Sequence, residues 1–502
     1  MQPWSRYNTL FRSERYGWFL HNTLSGVMLE LDESHASIAE SLRDGSLPSS
    51  AEPAGFIALL EQNGFLADPG KERLKLMENR YWRNAACFST THLGLTICPT
   101  LSCNFACPYC FEHSQGDATV MDEGTIEALV AFIRKHGDAK HLTVRWYGGE
   151  PTLAFGIIET LTAKFIELFP DYAGAGMVTN GYLLDQEKIE RLNDLKIASV
   201  QITLDGTEET HDRRRIHSNG EGTYQQIIKN IDLLMNSSWN GSCAVRVNVD
   251  RTNRHEYAVL RKELLDRYKG RNLTVYPGHV NTDDGNSCDR QCSLCNREWA
   301  AFQLDGYAIE GITPRGGLYP PSGIQNLCIA TSLQGYVVGP KGELYKCWED
   351  VGREGMVIGT VHDEQYVTNP ELLVRYSIGT DPYGDSECME CKVFPVCGGG
   401  CVNRRMRVQQ FGESSLEYCS SLKESLEKYL DAYMDKWHTN QICKVVLGKG
   451  RPPSMENGYR MVQPEMKMRN EVKNPLEPLT GHEQEGSGNN GAPNKTGASL
   501  LF

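Results

Sequence analysis

Nowhere in its 502 residues does the chain carry a run of about eighteen apolar residues, so no segment reads as a transmembrane helix. The opening MQPWSRYNTLFRSERYG has no apolar stretch and no small-residue cleavage site, so a secretion signal is not expected either. These two absences predict a cytoplasmic protein with no membrane partner. No basic block stands out, and the formal net charge is −13, which argues against nucleic acid as a partner. There is no internal repeat of solenoid type. The 13 histidines form no ligand pair; His211, in THDRRR, is expected to shape a loop rather than bind metal.

Cysteine, by contrast, is plentiful. Seventeen are present, and a disulfide framework suits small secreted domains, not a long chain kept reduced. Structural thiols would scatter along the sequence. These cluster at short fixed gaps instead, as metal ligands do. The first group is CNFACPYC, in which Cys103, Cys107 and Cys110 follow C-x3-C-x2-C. Iron–sulfur cubanes are usually held by four thiolates, so three leave one iron without a protein bond. An open coordination position marks a catalytic site. Cys87, Cys98, Cys243 and Cys443 share no such spacing and are expected to be buried or idle thiols.

A chain this long predicts about two to four domains. Residues 1–31 read as extended, with YNTLF and GWFLHN rich in β-formers and NTLSG as a turn. Two helical patterns follow, one grouping Ile38, Ala39 and Leu42, the other Phe56, Leu59 and Leu60. Residues 1–88 are therefore expected to form an α+β, winged-helix-like module. From 89 to 285 strands alternate with helices: LGLTICP, LTVRWYGG, GMVTNG, ASVQITLDG, CAVRVNV and LTVYPG are separated by stretches such as TYQQIIKNIDLLMN. Six βα units predict a parallel α/β sheet, either a partial (β/α)6 barrel of TIM type or an open doubly wound fold. In both, the site lies at the carboxyl ends of the strands, where CNFACPYC follows the first. Residues 286–325 read as a cysteine-containing connector. Residues 326–440 read as a turn-rich cysteine domain closed by the amphipathic LKESLEKYLDAYMDKW, and 441–502 as a polar tail expected to be disordered.

The central segment resembles the radical S-adenosylmethionine (radical SAM) enzymes. The triple cysteine follows the first strand, with Tyr109 before the last thiol. Gly148-Gly149-Glu150-Pro151 ends the second strand, Thr179-Asn180-Gly181 the third, and TLDGTEETHDRRR the fourth. The resemblance implies the partial-barrel fold, and a [4Fe–4S] cluster on Cys103, Cys107 and Cys110 whose open iron chelates SAM. SAM is then cleaved to a 5′-deoxyadenosyl radical that takes a hydrogen atom from substrate. By the same resemblance Gly148, Gly149, Glu150, Pro151, Thr179, Asn180, Thr203, Asp205 and Arg215 line the SAM site, with Tyr109 and Asn248 as further contacts. The two glycines are expected to let backbone approach the cofactor, Glu150 to accept from the SAM ammonium, and Arg215 to pair with its carboxylate.

The second cysteine block resembles the SPASM extension: Cys328-x13-Gly342-x4-Cys347, then Cys388-x2-Cys391-x5-Cys397-x3-Cys401, then Cys419. A zinc ribbon would explain C-x2-C but not the whole order. The resemblance implies two auxiliary [4Fe–4S] clusters besides the SAM-binding one. Cys388, Cys391, Cys397 and Cys419 would ligate the distal cluster, and Cys328, Cys347 and Cys401 the proximal. The stretch PPSGIQNL supplies no fourth proximal ligand. That cluster then either has an open iron or borrows Cys288, Cys292 or Cys295 from CDRQCSLC.

SPASM enzymes mostly modify peptides and proteins, and this order of modules resembles ribosomal-peptide (RiPP) maturases. The resemblance implies a precursor peptide whose leader adds a strand to an exposed edge of the N-terminal sheet, and a low-potential electron donor such as flavodoxin or ferredoxin. The expected reaction is an intramolecular thioether crosslink in the peptide. The alternatives are a carbon–carbon or carbon–oxygen crosslink, or formylglycine formation on sulfatases. In sulfatase-maturing enzymes an Asp base follows the second SPASM cysteine; here Trp348 does, with Glu349 and Asp350 beyond it. The intact triple cysteine, GGEP and Arg215 oppose a non-enzymatic iron–sulfur protein.

Overall fold

The computed structural model describes residues 2–46, 55–110, 118–280, 292–413, 416–446 and 458–462. The β-formers at the start of the chain fold as three antiparallel strands, β1 (Asn8–Ser13), β2 (Gly17–Asn22) and β3 (Met28–Leu31). One face of this sheet, with Leu20, Leu29 and Leu31, packs on the helices Glu33–Arg43 and Phe56–Gln62 through Ile38, Ala39, Leu42, Phe56 and Leu60. Asp32 begins the first helix by accepting from the His35 N–H at 2.8 Å, which satisfies a donor the helix itself leaves open. The other face, with Phe11, Phe19 and Met28, packs on the long helix Leu422–Val446 through Leu426, Leu430 and Met434. The apolar stripe of LKESLEKYLDAYMDKW is thus buried on the first strands of the chain.

Six parallel strands form the central sheet in sequence order: β4 (His92–Ile97), β5 (His141–Trp146), β6 (Ala175–Thr179), β7 (Ile197–Leu204), β8 (Ser242–Val249) and β9 (Leu273–His279). A strictly sequential order has no point at which strand order reverses, so the doubly wound alternative is excluded and the partial barrel stands. Helices such as Glu123–Lys135, Phe155–Leu168 and Tyr224–Asn236 cover its outside. In the last of these the expected face of Ile227, Ile228, Ile231, Leu234 and Met235 is buried.

The sheet does not stop at the barrel. β10 (Gly335–Val338) lies parallel to β4, from Gly335↔Gly94 to Val338↔Ile97, and β11 (Glu343–Tyr345) and β12 (Gly359–Thr360) follow antiparallel to make nine strands. The sheet therefore crosses the boundary expected at residue 326. The physical reason is that β4 would otherwise present an open edge, and β10 pairs it.

The expectation of a disordered tail from residue 441 needs correction. The helix Leu422–Val446 runs past that point, and β13 (Tyr459–Val462) pairs antiparallel with β3. The surrounding polarity hides a four-residue stretch, YRMV, with the β-forming Tyr459 and Val462. The segment GHEQEGSGNNGAPNKTG lies outside the described residues. No described helix is long and apolar enough to cross a membrane.

Candidate functional site

The loop that leaves β4 carries the three cysteines, and the end of β5 grips it. Gly149 N–H donates to the Thr100 carbonyl at 3.3 Å and Glu150 N–H to that of Ser102 at 2.8 Å. A Cβ on Gly149 would stand 2.3 Å from the Leu101 carbonyl oxygen and 2.4 Å from that of Ser102; one on Gly148, at φ +115°, would stand 2.3 Å from that of Thr100. The glycines thus let the end of β5 press against the cysteine loop. On the Cβ side of each glycine the close approach is backbone on backbone.

Glu150 is fully buried and is a strut. Its carboxylate accepts from Thr152 N–H at 3.0 Å, Thr152 Oγ1 at 2.5 Å, Thr179 Oγ1 at 2.7 Å and Asn180 N–H at 2.7 Å. The end of β5 is thereby tied to the end of β6, and Pro151 opens the short turn Pro151–Ala154. Burial pushes the Glu150 carboxyl up, against these hydrogen bonds. Asn180 Nδ2 donates to Asn104 Oδ1 at 2.7 Å and lies 4.0 Å from Cys103 Sγ.

The three thiols stand within electrostatic reach of one another. Burial pushes Cys103 up to about 12; the charges of Glu150, Cys107 and Cys110 add to this, while a hydrogen bond from Phe105 N–H opposes it. Burial pushes the Cys107 thiol up as well, so without metal Cys103 and Cys107 are protonated and metal binding here would release protons.

The opposite wall comes from β7 and β8. Arg214 donates to Asp205 Oδ2 at 2.9 Å and to Asp250 Oδ2 at 2.5 Å. Arg215 donates to the Tyr109 hydroxyl at 2.9 Å and lies 5.5 Å over the Phe105 ring. Asn248 Nδ2 reaches the same hydroxyl at 3.3 Å, and Thr203 is buried on β7. His211 holds this wall in place, as expected. Its Nδ1 accepts from Asp205 N–H at 3.3 Å, its Nε2 meets Thr223 Oγ1 at 3.0 Å, and Thr223 Oγ1 donates to the Arg215 carbonyl at 2.6 Å. Burial, then the two arginines, hold its pKa far below the usual range, so the ring is neutral. Sequence reasoning missed Arg214 and Asp250. The only signal was a second arginine beside Arg215 and an acid just beyond β8.

Four buried polar atoms around this wall have no hydrogen-bond partner: Asn104 Nδ2, Asp205 Oδ1, Arg214 Nη2 and Arg215 Nε. Such atoms are destabilising unless something completes them. A ligand bearing a carboxylate, an ammonium and hydroxyls matches two guanidinium donors, an amide donor and a carboxylate acceptor. The residues present therefore fit SAM.

The second block assembles two further thiol groups. Cys328, Cys347 and Cys401 act on one another electrostatically, and Glu349 acts on all three. Cys87, expected to be idle, lies behind this group: its thiol is 3.5 Å from Thr331 Oγ1, which donates to the Cys328 carbonyl at 2.9 Å. Cys98 and Cys243 are buried as expected. Cys397 acts on or is acted on by Cys388, Cys391 and Cys419. Cations flank that set, with Arg405 Nη2 donating to Cys388 Sγ at 2.9 Å and Lys423 Nζ 3.8 Å from Cys419 Sγ. Trp348, next to Cys347, stacks on Tyr147 at 5.7 Å, which joins the first of these groups to the end of β5.

Cys295 sits instead at the N-cap of the helix Asn296–Glu310, with its N–H donating to Glu298 Oε2 at 2.9 Å. The Cys292 carbonyl accepts from Arg251 N–H at 2.9 Å, and Arg251 pairs with Glu298 at 2.7 Å. These two cysteines are thus built around Arg251, and the extra-ligand role expected of them gains no contact here. Cys288 lies outside the described residues. Among the described residues, no three Cys, His, Asp or Glu side chains close on a point as they would around one metal ion.

Residues 97–264 match the model of the Radical SAM superfamily. The cysteine-type anaerobic sulfatase-maturating enzyme of Clostridium perfringens is 27% identical over 372 residues, 67% of this chain and 95% of that protein. The mycofactocin maturase MftC of Mycobacterium tuberculosis is 24% identical over 60% of this chain and 76% of its own length. The solved structure of native anSMEcpe with bound AdoMet and Cp18Cys peptide shares the fold, with a TM-score of 0.51 and 19% identity over 68% of this chain and 97% of that one. Residues 97–264 of the chain are thus a radical SAM domain.

Proposed function

We propose that the protein is a radical SAM/SPASM peptide maturase that closes an intramolecular thioether crosslink in a ribosomally made precursor peptide. The observation that carries the reading is the set of partnerless buried groups on Asp205, Arg214, Arg215 and Asn104 facing a three-thiol loop. Cys103, Cys107 and Cys110 would hold a [4Fe–4S] cluster. Arg214, Arg215 and Asp205 would bind SAM, with Asn180, Thr203 and Asn248 around it. Bound there, the pair supplies one-electron, hydrogen-abstracting chemistry. Cys388, Cys391, Cys397 and Cys419 would hold one auxiliary cluster, with Arg405 and Lys423 offsetting its negative charge. Cys328, Cys347 and Cys401 would hold the other and leave one position open. A protein of this class draws on a low-potential electron donor of flavodoxin or ferredoxin type, and residues 1–88 would hold the peptide's leader.

The similarity to sulfatase-maturating enzymes favours a second reading, formylglycine formation. Asp350 opposes it. That carboxylate is buried, accepts from Tyr376 and, at 2.9 Å, from Asn403, and is pushed up to about 7 by burial. It faces the core rather than a substrate.

The test is a reaction under anaerobic conditions with reductant, SAM and a cysteine-bearing precursor peptide. Loss of two hydrogens from the peptide, abolished in Cys103→Ala, is expected, with the cysteine resistant to alkylation afterwards. An unchanged precursor beside a converted sulfatase peptide would replace this reading with the second.

A further inference from the structure

The barrel interior carries three arginines besides Arg214 and Arg215. Side chains alternate along a strand. On β5, Leu142, Val144 and Trp146 are buried in the core under the helices, so Arg145 turns the other way, into the barrel. On β8 the inward pair is Arg246 and Asn248: Arg246 Nε donates to Asn248 Oδ1 at 2.9 Å, and Asn248 reaches the Tyr109 hydroxyl. On β9, Tyr276 pairs in register with Arg246, and its hydroxyl donates to Gln201 Oε1 of β7 at 2.5 Å. Arg315, from the segment after the helix Asn296–Glu310, lies 4.5 Å over the Tyr276 ring.

These groups face one another across the interior. β5 and β9 are four strand spacings apart, about 19 Å along the sheet, yet Tyr276 and Arg315 both act electrostatically on Arg145. Only a path through the barrel is that short. Arg145, Gln201, Arg246 and Tyr276 are half-buried and Arg315 is exposed, so a ligand can reach them. A guanidinium stays charged at any working pH. Among the described residues none of the three pairs with a carboxylate: Arg246 donates to Asn248, Arg315 lies over Tyr276, and Arg145 is acted on by Tyr276 and Arg315. Burial pulls the Arg145 pKa down; Tyr276 opposes this and Arg315 adds to it. Other arginines away from solvent are answered: Arg214 by Asp205 and Asp250, Arg405 by Asp385, Arg407 by Glu413. The interior therefore gathers like charges without a counter-charge, which favours an anion. Arg246 stands two residues before Asn248, and Arg145 two before Tyr147, which stacks on Trp348 beside Cys347. The arginines thus adjoin, on one strand, the wall that would hold SAM and, on another, the thiol set of Cys328, Cys347 and Cys401.

We infer that the barrel interior binds a carboxylate of the peptide substrate through Arg145, Arg246 and Arg315, and that these residues determine which peptide is accepted. The inference rests on the reading above that the substrate is a peptide. The carboxylate is an Asp or Glu side chain or the peptide's C-terminus. A planar guanidinium fork matches either in a bidentate way.

The test is titration calorimetry on the anaerobically reconstituted full chain with three acetylated pentapeptides: Ala-Ala-Glu-Ala-Ala amide, the same amide with Gln in place of Glu, and the Gln peptide as a free acid. Binding of the Glu peptide about tenfold or more tightly than the Gln amide assigns the site to an acidic side chain; the same margin for the free acid assigns it to the C-terminus. Arg145→Gln and Arg315→Gln are each expected to remove the margin and to leave the affinity for the Gln amide unchanged. Both should keep their SAM affinity in equilibrium dialysis, which shows an intact fold, and Arg315 is exposed, so replacing it leaves the core alone. Arg145→Glu should turn the preference toward a pentapeptide with Lys at the central position. Equal affinity for the three peptides, or a margin that survives both substitutions to Gln, would overturn the inference. Binding needs neither SAM cleavage nor turnover, so failure here leaves the maturase reading standing. Deoxyadenosine formed without any peptide change would remove that reading and leave the binding result intact.

Discussion

Single positions show how much a motif conveys and what it leaves out. GGEP is legible in the sequence as a strand-end motif, and the structure puts it there. Its residues act on the chain itself: the glycines admit the Thr100–Ser102 carbonyls, and Glu150 ties β5 to β6. Which surface a glycine faces depends on tertiary contacts that no local pattern encodes. Gly149→Ala should therefore displace the cysteine loop. We expect a loss of about 1–3 kcal/mol in stability and of about four irons per chain, one cubane's worth, read by denaturation and iron analysis. A full iron complement in Gly149→Ala would contradict this. Arg215 was legible from its motif, whereas Arg214 was not, because only the fold brings Asp250 to it. Asp205→Asn removes the charge that Arg214 answers and is expected to weaken SAM binding by about tenfold or more in equilibrium dialysis, the factor that a charged hydrogen bond carries.

Elements were more legible than contacts. Each of the six barrel strands begins and ends within three residues of its expected stretch, since runs buried on both faces read as continuous β-formers. β10 escaped, because its role as a partner for β4 is set by the need of an edge and not by its own four residues. β13 escaped because composition over a long window masked a short strand. The N-terminal sheet also holds a titration that the sequence hides. His21 on β2 is fully buried, both ring nitrogens lack partners, and its ring meets Tyr319 edge-on at 5.5 Å. Burial depresses its pKa to about 3. The unfolded chain takes up a proton below about pH 6.5 that the folded chain refuses, so stability is lost as pH falls from there toward 3. Between pH 7.5 and 5 the wild-type melting temperature should fall more steeply than that of His21→Leu. Parallel slopes would show that His21 does not titrate in this way.

Taken together, the modules are less separate than their sequence boundaries suggest. The N-terminal sheet docks on the distal cysteine group: Thr23 Oγ1 donates to the Lys392 carbonyl, Arg6 pairs with Glu390, and Tyr7, Leu24, Leu76 and Phe394 pack against Cys388 and Cys391. Residues 1–88 are thus mechanically joined to the thiols that would carry an auxiliary cluster. Cys391→Ala is expected to speed amide exchange at residues 23–26, and unchanged exchange would show that the two parts move independently. None of this was readable from the sequence, where those residues stand more than 350 positions apart. The measurement that tests the account most directly is SAM cleavage by the anaerobically reconstituted, reduced protein. The account predicts 5′-deoxyadenosine from wild type carrying about twelve irons per chain, as three cubanes require, and none from Cys103→Ala. A fully loaded wild-type protein that leaves SAM intact would contradict it.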